Sequence, residues 1–318
     1  MFHRGLLCVT LAALAACVVA VSPTVDAATR LPGVIDIPCA TRILEQPADW
    51  YLPTGTPRGL VWLQHGFART DANVGDLAVA FAAAGDLVFA PSLPFLDPTG
   101  CTLQNLGDNT GFLDNIADLF GGASDPEGPL ARSLAEAARS AHHAAPAMPR
   151  SFVFVGHSAG AEAVAFVANR LRTTAPQGWS ALRGLILLDP VPSFLGDNFH
   201  HALTGISATP LPVLAISAPP EPCNSLGLGT AALRSDLHRP FLGVLLPTGV
   251  HTDAEGPSSD VLGETVCGYP LAADVATLHA LALGWSSDFL TGTTTPEYYP
   301  TMSGVVPAAP EALTLRGS

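Results

Sequence analysis

Six short, unbroken apolar runs recur along this chain, at residues 59–64, 86–90, 151–155, 184–188, 212–217 and 241–246. Each has the length of one β-strand. A strand with no polar alternation is buried on both faces, which is the condition of a parallel sheet covered by helices. Between the runs the period changes from continuous to helical. Val74, Leu77, Ala78 and Phe81 stand at i, i+3, i+4 and i+7, with Gly85 positioned to end the helix. Val164, Val167, Ala168 and Leu171 repeat that spacing, and Leu271, Val275, Leu278, Ala282, Trp285 and Phe289 form a longer stripe. Strand and helix in alternation predict a doubly wound α/β architecture: a mostly parallel sheet with helices on both faces and right-handed crossovers. No Pro/Gly/Ser linker divides the chain before a Thr/Pro-rich tail that begins near Thr291, so residues 28–318 read as a single domain. Residues 97–130, rich in Gly, Asp and Asn, are expected to form a mobile flap.

The first 27 residues follow another rule. Arg4 precedes an apolar stretch from Leu6 to Val21, and Val25-Asp26-Ala27 offers a small-residue cleavage site, the pattern of an export signal. Leu14-Ala15-Ala16-Cys17 is a competing signal, a lipobox-like tetrad that would leave a lipid-anchored protein beginning at Cys17. The four apolar residues after Cys17 favour simple secretion, and membrane association is expected only through lipidation there. Removal of residues 1–27 takes one Arg and one Asp, so the net charge stays at -13. The chain has no Lys. With so few cations it has no patch able to neutralise a phosphate backbone, and nucleic acid is excluded as a partner. Cys39, Cys101, Cys223 and Cys267 remain, an even number in an oxidising compartment. Proximity in the chain favours the pairs Cys39 with Cys101 and Cys223 with Cys267. The absence of any C-x-x-C pair argues against a metal site, and no cofactor is called for.

Three loops carry chemistry. Gly156-His157-Ser158-Ala159-Gly160 stands directly between the run 151–155 and the helical stripe that follows it. A strand turning into a helix over one residue strains that residue, and Gly on either side leaves room for the turn. The Ser158 hydroxyl is thereby lifted from the sheet beside the free amides of a helix N-terminus. A serine needs a base and an orienting carboxylate to attack at neutral pH. His251 follows the last apolar run after a short Gly-containing loop and is read as the base. His142 and His143 lie in a polar helical stretch, His200, His201 and His238 follow no strand, and His279 lies in the terminal stripe; these are read as structural or solvated. Two carboxylates suit the third role: Asp189 ends the run 184–188, and Glu221 follows the run 212–217. Gln64-His65-Gly66-Phe67 follows the first run. There a Gly lets the backbone turn an amide to the same rim, so the N–H groups of Phe67 and Ala159 are expected to form an oxyanion hole, each contributing about 3 kcal/mol to the transition state. His65 is read as a brace for that loop.

In the order Ser158, acid, His251, the chain resembles the α/β-hydrolase superfamily. More narrowly, Gln64-His65-Gly66-Phe67, Gly156-His157-Ser158-Ala159-Gly160 and Leu188-Asp189-Pro190-Val191 are similar to the chlorophyllase-like and platelet-activating-factor-acetylhydrolase-like branches, with a looser likeness to bacterial lipases and cutinase-type polyester hydrolases. The resemblance implies the α/β-hydrolase fold and a serine hydrolase acting on small or lipid-like carboxylic esters. It also implies Asp189 as the acid, because in those two branches the acid follows the strand after the nucleophile helix. Gly160 is followed by Ala161-Glu162 where lipase-like members carry a second Gly. Other reactions on the same scaffold (acyl transfer, thioester or peptide hydrolysis) and a non-catalytic surface binding protein are the alternatives.

Overall fold

The computed structural model describes residues 28–318, so the export-signal and Cys17 readings lie outside the described residues. Among the described residues, nine strands form one sheet: β1 (Thr29–Cys39), β2 (Arg42–Leu52), β3 (Leu60–Gln64), β4 (Leu87–Pro91), β5 (Phe152–His157), β6 (Leu182–Leu188), β7 (Val213–Ser217), β8 (Gly243–Leu245) and β9 (Leu313–Leu315). Nine α-helices accompany them among the same residues: α1 (Gly75–Ala83), α2 (Thr110–Gly121), α3 (Pro129–Ser140), α4 (Ala159–Thr174), α5 (Pro176–Ala181), α6 (Asn198–Ser207), α7 (Leu228–Asp236), α8 (Val261–Cys267) and α9 (Ala272–Thr291). The strand order is β1-β2-β4-β3-β5-β6-β7-β8-β9. The block from β4 to β8 is parallel throughout, and its six strands are the six apolar runs.

Two cores explain why those runs are continuous. Leu60, Trp62, Phe89, Phe154, Leu185 and Leu187 point to one face, where α2, α3, α4 and α6 cover them. Their neighbours Val61, Leu63, Val88, Val155, Ile186 and Leu188 point to the other, beneath α1 and α9. Because successive strand side chains alternate faces, a strand inside two cores has no position left for a polar residue. The α9 stripe is buried from Val275 to Phe289, but Leu271 caps the helix from outside and is exposed.

Both ends of the sheet depart from the expected pattern. An antiparallel hairpin, β1 with β2, pairs through β2 to β4, and β9 closes the far edge antiparallel to β8. In β1 only alternate residues are buried, among them Leu31, Ile35, Ile37 and Cys39, because its other face meets solvent. The tail beyond Thr291 is not a mere extension, since β9 lies within it.

The segment 97–130 is not the expected flap. Cys101 and Leu103 are buried, and α2 sets Phe112, Leu113, Ile116 and Phe120 into the core. The four periodic apolar residues of α2 outweigh the loop-like composition around them. Two disulfides join Cys39 to Cys101 and Cys223 to Cys267, across 62 and 44 residues, a pairing that fits an oxidising compartment. Cross-links over such spans restrict the unfolded chain by about 4 kcal/mol each in the loop-entropy account. Replacing either pair by Ser is therefore expected to lower the denaturation free energy by that order, read from urea midpoints; an unchanged midpoint would contradict it.

Candidate active site

Ser158 stands alone between β5 and α4, with φ 57° and ψ -124°. A left-handed conformation at a residue with a Cβ persists only where its surroundings enforce it. Here the enforcement is visible. The Ser158 N–H donates to Leu188 O at 2.9 Å, and the Val191 N–H donates to Ser158 O at 3.1 Å, which ties the turn to the end of β6. The flanking glycines permit the approach. A Cβ on Gly156 would stand 2.4 Å from Gly160 O, and one on Gly160 would stand 2.5 Å from both Gln64 O and His65 O.

The residues singled out in sequence converge on this turn. His251 opens a short 3₁₀ turn, His251–Ala254, after β8. Its Nε2 lies 2.9 Å from Ser158 Oγ, and its Nδ1 lies 2.6 Å from Asp189 Oδ2. A carboxylate accepts only, so Nδ1 carries the proton and Nε2 is free to accept the Ser158 hydroxyl. Asp189 is the first residue past β6, and its Oδ1 accepts from the Ala218 N–H at 3.0 Å and from Asn224 Nδ2 at 3.3 Å. These two donors fix the rotation of the carboxylate before His251 arrives.

Glu221 reaches a different part of the same histidine. Its Oε1 accepts from the backbone N–H of His251 at 2.9 Å, and partial burial pushes its carboxyl upward from the usual range. His157 Nε2 donates to the backbone carbonyl of His251 at 2.9 Å, while the two imidazole rings lie 4.7 Å apart. The main chain of His251 is thus held on both sides by side chains. Complete burial lowers His157 to about 4, so it is a neutral donor at pH 7. His65 is buried too, lowered to about 4 by the same cause, and its Nδ1 bonds Gly66 O at 2.7 Å, the bracing contact expected of it.

Gly66 explains how the β3 loop meets Ser158. A Cβ there would stand 2.7 Å from Ser158 Cβ, so only glycine lets the chain pass so close. Phe67 follows it. Ala159 is the first residue of α4, and its N–H has no acceptor within the helix. Beside Ser158 and His251 a cavity of about 330 Å³ opens, walled by Phe67, Arg69, Leu262, Val266 and the Cys223–Cys267 disulfide. Glu162, two residues past Gly160, is buried and accepts from the Ser193 N–H at 2.7 Å and from Ser193 Oγ at 2.5 Å. It anchors the loop beyond Asp189 and does not face the cavity lining.

Among the described residues, Asp189, Glu221 and His251 are the one group whose ligand atoms all lie within 4.8 Å of one another. Within this group Asp189 Oδ2 bonds His251 Nδ1 and Glu221 Oε1 bonds the His251 N–H, so hydrogen bonds account for its closeness. Arg69, Glu255 and Asn224 are functional neighbours that sequence reasoning missed. The contacts that tie them to the site, Arg69 with Glu255 and Asn224 with Asp189, span 186 and 35 residues, and no motif marks them.

No family model matches the sequence, and no curated protein matches it. Solved structures do. An esterase from the archaeon Pyrobaculum calidifontis is 14% identical, with 84% of this chain and 85% of that one covered, at a TM-score of 0.52. A fungal esterase from Rhizomucor miehei is 11% identical over 83% and 85%, at 0.51. A monoglyceride lipase from Saccharomyces cerevisiae is 12% identical over 83% and 97%, at 0.50. These likenesses, with the parallel block and its antiparallel hairpin, decide the architecture. The chain has the α/β-hydrolase fold. In an α/β-hydrolase the loops at the carboxyl ends of the strands form the site, and here the loops after β3, β5, β6, β7 and β8 all meet at Ser158.

Proposed function

We propose that this chain is a secreted serine hydrolase of carboxylic esters that works through an acyl-enzyme. The observation that carries the reading is the run of hydrogen bonds from Ser158 Oγ to His251 Nε2 and from His251 Nδ1 to Asp189, at the mouth of a mostly apolar cavity. His251 takes the Ser158 proton as Oγ attacks the ester carbonyl, and Asp189 stabilises the imidazolium that forms. The N–H groups of Phe67 and Ala159 receive the oxyanion. His251 then returns the proton to the leaving alcohol, and water repeats the sequence to free the acid. The closeness of Gly66 to Ser158 and the unused N–H of Ala159 support this assignment of the hole. A cavity with mostly apolar walls suits a small or lipid-like acyl group.

Secretion is supported by the two disulfides, and lipidation at Cys17 is the route by which the protein would be held at a membrane. The test is to treat the purified protein with a fluorophosphonate and locate the adduct by peptide mass. Labelling at Ser158, with turnover of p-nitrophenyl esters across several acyl lengths, is expected. An unlabelled Ser158 in folded protein would defeat the reading.

A further inference from the structure

In the wall of the cavity lies a largely buried ion pair that the proposed chemistry does not use. Glu255 is four residues past His251, and its side chain is 2% exposed. Arg69 is two residues past Phe67, with its side chain 12% exposed. The guanidinium meets the carboxylate with two parallel bonds: Nε to Oε1 at 2.7 Å, and Nη2 to Oε2. Ser259 Oγ donates a further bond to Oε2 at 2.9 Å. The free Nη1 of Arg69 reaches Asp260 Oδ2 at 3.0 Å, and Asp260 caps the first turn of α8 through the Gly263 N–H at 2.7 Å. On its inner side, Glu255 Oε1 lies 3.9 Å from His157 Nδ1, the ring that holds the His251 carbonyl.

We infer that Arg69 and Glu255 are positioning residues, whose two-bond contact sets the loop carrying the oxyanion amide against the loop carrying the general base. The two loops leave β3 and β8, strands with β5, β6 and β7 between them, so no backbone ladder fixes one against the other. A planar guanidinium on a carboxylate defines direction as well as distance, which a single bond or a point charge does not. Gly263 allows the contact, since a Cβ there would stand 2.0 Å from Arg69 Nη2. An oxyanion donor acts on charge that develops only in the transition state, so a displaced Phe67 amide lowers kcat and leaves substrate binding nearly intact.

This inference rests on the serine-hydrolase reading, and its test separates the two. Removing one partner of a buried pair strands a charge and destabilises the protein, whereas replacing both by uncharged side chains of similar volume is often neutral for stability. The decisive variant is therefore Arg69→Met/Glu255→Gln, with Arg69→Lys beside it to keep the charge and lose the fork. Active sites are counted by fluorophosphonate labelling, and kcat is expressed per labelled site. Both variants are expected to show kcat reduced roughly 10- to 100-fold with KM within about threefold of wild type, the size of effect that misplacement of a catalytic group produces. A merely structural pair would lower the labelled fraction and leave kcat per site unchanged. Should the double variant not fold, Arg69→Lys decides by the same measure. A kcat per site within twofold of wild type in a folded variant overturns the inference, whereas a wild type that takes no label overturns the underlying reading.

Discussion

Ser158→Ala and His251→Ala are each expected to lower kcat for a p-nitrophenyl ester by about 10⁶-fold, with the double variant scarcely worse than either. A serine hydroxyl is almost wholly protonated at neutral pH, so its attack depends on transfer of that proton to His251 Nε2, 2.9 Å away, as the new bond forms. Without the base the hydroxyl is inert, and without the hydroxyl the base has no nucleophile to activate. The two losses therefore overlap and do not multiply. The activity that survives is expected to exceed the uncatalysed rate, because in the proposed mechanism the amides of Phe67 and Ala159 still bind developing negative charge when water attacks. Steady-state rates of the three variants, measured on protein freed of wild-type traces, test this. Independent, multiplying losses would mean that Ser158 and His251 act in separate steps, contrary to their shared hydrogen bond.

How much of this was legible in the chain depended on how local each signal was. The six strands buried in two cores announced themselves, because burial on both faces removes every polar position. The β1–β2 hairpin escaped that criterion. Its buried residues Leu31, Ile35 and Ile37 alternate with Pro32, Asp36 and Pro38, the mark of a strand wet on one side. The turn at Ser158 was legible because its glycines lie beside it in sequence, and steric room is a local need. The choice between Asp189 and Glu221 was not legible from the residues. Both follow adjacent strands of the sheet, Asp189 directly after β6 and Glu221 four residues past β7, and only the folded loops bring one to the His251 ring and the other to its backbone N–H. Arg69 and Glu255 left no trace at all, since a salt bridge across 186 residues has no period and no motif.

That choice of acid carries the second large effect. Asp189→Asn is expected to lower kcat by about 10⁴-fold, by inverting the tautomer of His251. Asp189 Oδ1 already faces two donors, the Ala218 N–H and Asn224 Nδ2, so an asparagine there turns its oxygen toward them and its amide NH₂ toward His251. The imidazole then accepts at Nδ1 and carries its proton on Nε2, where it can no longer receive one from Ser158. Glu221→Gln places a carbonyl oxygen where Oε1 now accepts the His251 N–H, so that bond survives, and kcat is expected to stay within about threefold of wild type. Glu221→Ala leaves the N–H without its acceptor at a cost of about 1–3 kcal/mol, enough for roughly a tenfold or greater fall in kcat if the His251 loop shifts in response. The three variants, compared at one pH with sites counted by fluorophosphonate, separate an orienting carboxylate from a backbone anchor. An acid that stabilises the imidazolium needs its charge, whereas an anchor needs only an oxygen. Equal losses in Asp189→Asn and Glu221→Gln would show that both carboxylates act on the ring, and a larger loss in Glu221→Gln would transfer the orienting role to Glu221.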